Sequence, residues 1–186
     1  MKNIFRVGAA IAAITIMTTL RASAAPGEID LGKFTPSEGG QFVEVNINSN
    51  LIAMVTNFAK KAEPEIAEVL QGLKSIRVNV LGLTDENRSE IQERITNIRS
   101  QLDKSGWDRV VTVIDKADDV GVYMKTKGAD VVEGLVVTVL SGKSEAVFVN
   151  VVGDIRPDRL ATIGERFNIE PLKHLPKPVA KNDTKE

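Results

Sequence analysis

The chain of 186 residues contains no cysteine and only one histidine, one tryptophan and one tyrosine. Without cysteine it has no thiol nucleophile, no thiolate metal site and no disulfide staple. The lipid anchor of a bacterial lipoprotein is also excluded, because it needs a Cys at the first mature position. With His174 as the sole histidine and no cysteine, a zinc site is short of its usual ligands, and a Ser-His-Asp triad would have to be built on that one residue. Aromatic residues make up 4% of the chain, which leaves few flat rings on which a sugar stacks. An excess of positive charge is missing too: 24 basic residues face 25 acidic ones, a formal charge of −1. Nucleic-acid binding is driven by Lys and Arg neutralising phosphates, and anionic lipid attracts polybasic segments. Neither partner is expected.

One long uncharged apolar run is present, Val7 to Leu20. Lys2 and Arg6 precede it, and Ala22-Ser23-Ala24 follows with the small-x-small pattern that a signal peptidase accepts. The run is too short to cross a bilayer comfortably, which takes ~20 residues. Residues 1–24 therefore read as an export signal cleaved after Ala24. A cut one residue later would set Pro26 against the scissile bond. A periplasmic or secreted location is expected, with no lipid anchor and no membrane span after cleavage. The remaining 162 residues carry 21 basic and 25 acidic side chains, a formal charge of −4. That length suits one domain.

The mature chain opens on a Gly-, Pro- and acid-rich extension, residues 25–40, with Ile29, Leu31 and Phe34 as its expected contacts. A single α+β domain is expected over 41–170. Phe42 to Ile47 alternates as a strand, and Leu51, Ile52, Val55, Phe58 and Ala59 recur at helical spacing. Pro64 suits the first turn of a second helix, which buries Ile66, Val69, Leu70 and Leu73. Ser75 to Leu83 alternates again. Ile91, Ile95, Ile98 and Leu102 form one narrow stripe on a third helix, capped by Thr84 or Asp85 and stopped by Gly106. From Arg109 the period becomes two, with strands expected at Arg109–Ile114, Val120–Thr126, Val131–Leu140 and Ala146–Val152. Their short connections require antiparallel neighbours, hence a four-stranded meander. The last two strands are apolar on both faces, which suggests central or doubly covered positions. Gly153 is expected to end the sheet, and Pro157 to open a helix burying Leu160, Ile163 and Phe167. The tail from Pro171 is expected to be disordered. The fold class is thus α+β, a mostly antiparallel sheet with amphipathic helices packed mainly on one face.

Gly106-Trp107-Asp108-Arg109-Val110, Val120 to Lys125, Gly134 to Val139 and Val149-Asn150-Val151-Val152-Gly153-Asp154-Ile155 carry a resemblance. The pattern resembles the exported bacterial domain-of-unknown-function family numbered 4252, over roughly residues 45–168. That resemblance implies a signal peptide followed by one compact α+β domain. It implies no activity, cofactor or catalytic residue.

The candidate chemistries are few. His174 lies in the expected tail, where no scaffold holds a general base within ~3 Å of its target. Ser141-Gly142-Lys143-Ser144 echoes a phosphate loop but lacks the upstream Gly and the following helix, so a hairpin turn is the better reading. Asp115, Asp118 and Asp119 offer a calcium cluster, though turns favour Asp for its local hydrogen bonds. Glu86, Glu90, Glu93, Arg88, Arg94 and Arg99 make a mixed-sign helix face, expected to meet solvent. Asp154 is read as a cap for the helix after it. No catalytic, cofactor-binding or metal residue is assigned and no cofactor is expected. The leading expectation is a non-enzymatic, partner-binding envelope protein. The alternatives are a carboxylate-dependent hydrolase of envelope polymers and a carrier of a small apolar ligand.

Overall fold

The computed structural model describes residues 25–36, 40–115, 118–128, 131–142 and 144–156. The expected signal, the helix from Pro157 and the tail from Pro171 lie outside the described residues.

Runs of β-branched residues form six strands: β1 (Phe42–Ile47), β2 (Leu73–Gly82), β3 (Asp108–Ile114), β4 (Asp119–Lys127), β5 (Val131–Ser141) and β6 (Glu145–Ile155). They make one sheet in the order β1-β2-β6-β5-β4-β3, with every pairing antiparallel. The strands from β3 to β6 are successive neighbours, and β6 then lies against β2. Gly153 does not end the sheet. Beyond it the Asp154 N–H donates to the Gly72 carbonyl at 2.8 Å, and Ile155 pairs with Val132 past an irregularity in β5.

The register sorts side chains by face, since opposed residues of an antiparallel pair share one side. On one face, Val43, Val80, Val147, Val139, Val120 and Val113 are partners from strand to strand across the sheet. The next row is Val45, Val78, Val149, Val137, Val122 and Val111. A third holds Ile47, Ile76, Val151, Leu135 and Met124. This face is aliphatic from edge to edge.

Helices α1 (Ser49–Ala62) and α2 (Pro64–Gln71) cover part of it, with Ile52, Val69 and Leu70 packing in one cluster with Ile76, Val137 and Val149. The Asn48 Oδ1 caps α1 by accepting from the Leu51 N–H at 3.1 Å, and Lys60 and Lys61 suit its negative end. Helix α3 (Arg88–Lys104) belongs to the other face, where Ile91, Ile95, Ile98 and Leu102 meet Tyr123, Val136, Leu140 and Phe148. Cover mainly on one face is therefore corrected: the helices divide between the two. The reason lies in β5 and β6, whose residues of both parities are apolar and need a lid on each side. Of the two expected caps, Thr84 takes the role. Its hydroxyl accepts from the Asn87 N–H at 3.3 Å and the Asn87 Oδ1 accepts from the Thr84 N–H at 2.8 Å, a reciprocal pair over the turn that leads into α3. Asn87, the residue directly before the helix, makes no side-chain cap of its own.

The extension is stitched down by Asn150, which is buried on the α3 face. Its Nδ2 donates to the carbonyls of Gly27 at 3.1 Å and Leu135 at 3.2 Å, and its Oδ1 accepts from the Ile29 N–H at 3.3 Å. Gly27 and Gly134 touch backbone to backbone: a Cβ on Gly134 would lie 2.4 Å from the Gly27 Cα. Ile29 and Leu31 then seal the α3 side of the core.

Candidate functional site

His174 lies outside the described residues, as does Lys143. The rest of the expected phosphate-loop echo is the turn between β5 and β6, where the Ser144 N–H donates to the Ser141 carbonyl at 3.1 Å. The three aspartates serve separate ends. Asp115 accepts from the Asp118 N–H at 2.9 Å, Asp118 accepts from the Gly142 N–H at 2.9 Å, and Asp119 pairs with Arg99. Among the described residues no group of three or more His, Cys, Asp or Glu is placed to hold a metal ion. Asp154 lies within β6, exposed, with Lys74 Nζ 3.5 Å from its carboxylate; the helix it is expected to cap is outside the described residues.

The mixed-sign face of α3 departs from expectation at its arginines. Arg99 holds Asp119 with Nη1 at 2.8 and 3.0 Å and donates from Nε and Nη2 to the Thr138 hydroxyl at 3.2 and 3.0 Å. Gly121 makes room for this guanidinium, since a Cβ there would stand 3.0 Å from its nitrogens. Arg94 donates to the Lys33 carbonyl at 2.7 Å and lies 4.7 Å from the centre of the Phe34 ring. Arg88 bonds the Gly142 carbonyl. These cations tie the helix to the sheet and the extension, over sequence distances that helical periodicity does not report.

Tyr123 is buried, and that burial raises its pKa above the ordinary phenol value of 10.0, while the nearby Arg109 cation opposes the shift. A hollow of about 350 Å³ between the extension and strands β1 and β2 is lined by Asp30, Lys33, Glu44, Asn46, Arg77 and Asn79. Arg77 in it is engaged by Glu28 at 2.7 Å. A second, of about 520 Å³, lies beside Gly72 and Asp154. Neither lining contains a histidine or brings a nucleophile together with a base.

Among the described residues, one feature to which the packing gives no role is on α1. This helix buries Ile52 and Thr56, whose hydroxyl donates to the Ile52 carbonyl at 2.7 Å. Leu51, Met54, Val55 and Phe58 recur at helical spacing on the exposed side, with Phe58 75% exposed. Val43 and Val45 of the edge strand β1 are exposed as well, on the aliphatic face of the sheet. Single exposed apolar residues are ordinary, but several on one helix form a patch of the kind that marks an interaction site. Periodicity alone assigns Leu51, Val55 and Phe58 to an apolar side together with Ile52. An apolar stripe reports that a helix has an apolar side, and α1 has two. No helix of the described residues is long and apolar enough to cross a membrane.

A family model described as a domain of unknown function, DUF4252, matches residues 37–163. That span takes in all six strands and all three helices of the described residues. No curated protein and no solved structure matches the chain. With most of its length matched, the chain belongs to the DUF4252 family.

Proposed function

We propose that this DUF4252 chain is an exported, non-catalytic binding domain that takes a protein partner against the outer side of α1. The observation that carries the reading is the exposed set Leu51, Met54, Val55 and Phe58 on a helix whose sheet-facing side is separately buried. Removing such side chains from water favours association by ~25 cal/mol for each Å² covered. A partner with its own apolar helix face or groove fits this surface. The basic start, apolar run and Ala22-Ser23-Ala24 of the first 24 residues support export.

A photo-crosslinking side chain at Met54, in cells carrying the full chain, tests this. A discrete adduct is expected that disappears when Phe58→Ser is introduced alongside. An adduct pattern indifferent to Phe58→Ser would overturn the site. Turnover in a hydrolase screen, abolished by a single Asp→Asn or Glu→Gln change, would overturn the non-catalytic reading.

A further inference from the structure

The hollow between the extension and strands β1 and β2 opens on the α3 side of the sheet, away from α1. Its floor is set by register: Glu44 is the cross-strand partner of Asn79, and Asn46 that of Arg77. Opposed residues share a face, so the four make a square, with the two amides on one diagonal and the carboxylate and guanidinium on the other. Asp30 to Phe34 of the extension forms the facing wall. Arg77 turns to Glu28 at 2.7 Å and not across the square to Glu44. Asn79 is the telling residue. It is only 7% exposed, yet among the described residues its side-chain amide has no hydrogen-bond partner. Neither of its polar atoms is sealed off, so what exposure they keep is towards the hollow that Asn79 lines. The other buried asparagine, Asn150, makes three hydrogen bonds within the protein. An amide withdrawn this far from bulk water is disfavoured until a partner enters beside it.

We propose that this hollow binds a small neutral polyol, a monosaccharide or a molecule of like size, through two neighbouring hydroxyls on the Asn79 amide. One hydroxyl donates to Oδ1 and the next accepts from Nδ2. The charges of the lining select against ions. A cation meets Lys33 and Arg77, and an anion meets Asp30 and Glu44. A zwitterion that sets its ammonium on Glu44 finds the cation across the floor, Arg77, already held by Glu28. The most deeply buried polar group of the lining is the neutral amide of Asn79. A hydroxyl both donates and accepts at one atom, so it suits Glu44 as a donor, the remaining N–H groups of Arg77 as an acceptor, and either amide as both. The volume of about 350 Å³ stands at the small end of the ~300–1,000 Å³ of ligand clefts, which fits one sugar ring better than a chain. The Phe34 ring packs on Phe148 at 4.8 Å and carries the Arg94 guanidinium 4.7 Å from its centre. The hold on a sugar therefore rests on hydrogen bonds and not on stacking, and a dissociation constant of about 1–10 mM is expected.

Saturation-transfer NMR on the protein expressed from its full sequence tests this, with D-glucose, D-galactose, D-mannose, D-ribose and myo-inositol each titrated to about 20 mM. Saturable binding of at least one of the five is expected, and none of glycine or inorganic phosphate over the same range. Asn79→Leu is expected to weaken the bound polyol at least about tenfold. Its denaturant midpoint should stay level or rise, because the substitution breaks no hydrogen bond within the protein. A residue kept for the fold would lower that midpoint. Glu44→Ala, at an exposed position, is expected to weaken binding by about threefold without touching stability. Four results would each overturn the proposal: no saturable polyol, glycine or phosphate binding more tightly than any polyol, affinity unmoved by either substitution, or a fall in the midpoint of Asn79→Leu. None of these measurements reads the crosslink at Met54, so this conclusion and the α1 surface fail separately.

Discussion

Asn150 and Tyr123 are polar side chains sealed beneath the extension and α3, and each gives a distinct expectation. Asn150 satisfies the Gly27 and Leu135 carbonyls and the Ile29 N–H. Asn150→Leu keeps the volume but strands those groups, each costing about 1–3 kcal/mol when left buried and unpaired. Denaturant midpoints should fall, and limited proteolysis should now cut between Gly27 and Phe34; a protected extension in the variant would contradict this role. Tyr123 is the chain's one tyrosine, so its titration is read directly by phenolate absorbance. Its midpoint should lie above 10.0, because burial disfavours the phenolate more than Arg109 favours it. The unfolded chain then releases its proton first as pH rises. The associated stability is present below the ordinary phenol value and declines as pH climbs through it towards the folded midpoint. A midpoint at or below the ordinary value would show that the Arg109 cation outweighs burial.

At the scale of elements, α1 and α3 look alike in sequence and differ in what their apolar residues do. Leu102 of α3 is fully buried, so Leu102→Ala should cost about 2–5 kcal/mol in chemical denaturation. Phe58→Ser on α1 should change stability by no more than about 0.5 kcal/mol, the range of exposed substitutions. A large loss at Phe58 would mean that its ring is buried in the folded protein. The stripe Ile91, Ile95, Ile98 and Leu102 made α3 legible, and period-two alternation made the six strands legible, with ends shifted by up to three residues. The face on which each helix lies was not legible, because a strand-to-helix connection passes to either side without changing local pattern. The site was half legible: Leu51, Val55 and Phe58 stood out as apolar, but their exposure depends on what packs nearby. The same holds for Arg99, whose partners Asp119 and Thr138 lie 20 and 39 positions away.

Across the whole molecule, protection should follow position in the sheet. β5 and β6 are central and bury apolar side chains on both faces, so their amides should exchange last; β1 and β3 should exchange first. One property of the valine rows bears on folding. Sliding any strand by two positions would bring valine opposite valine again over much of the aliphatic face, at little cost in shape. That side of the sheet is nearly blind to alignment. The correct alignment must be chosen on the far side, where Asn150 finds Gly27, Arg99 finds Asp119 above Gly121, and no slipped arrangement satisfies both.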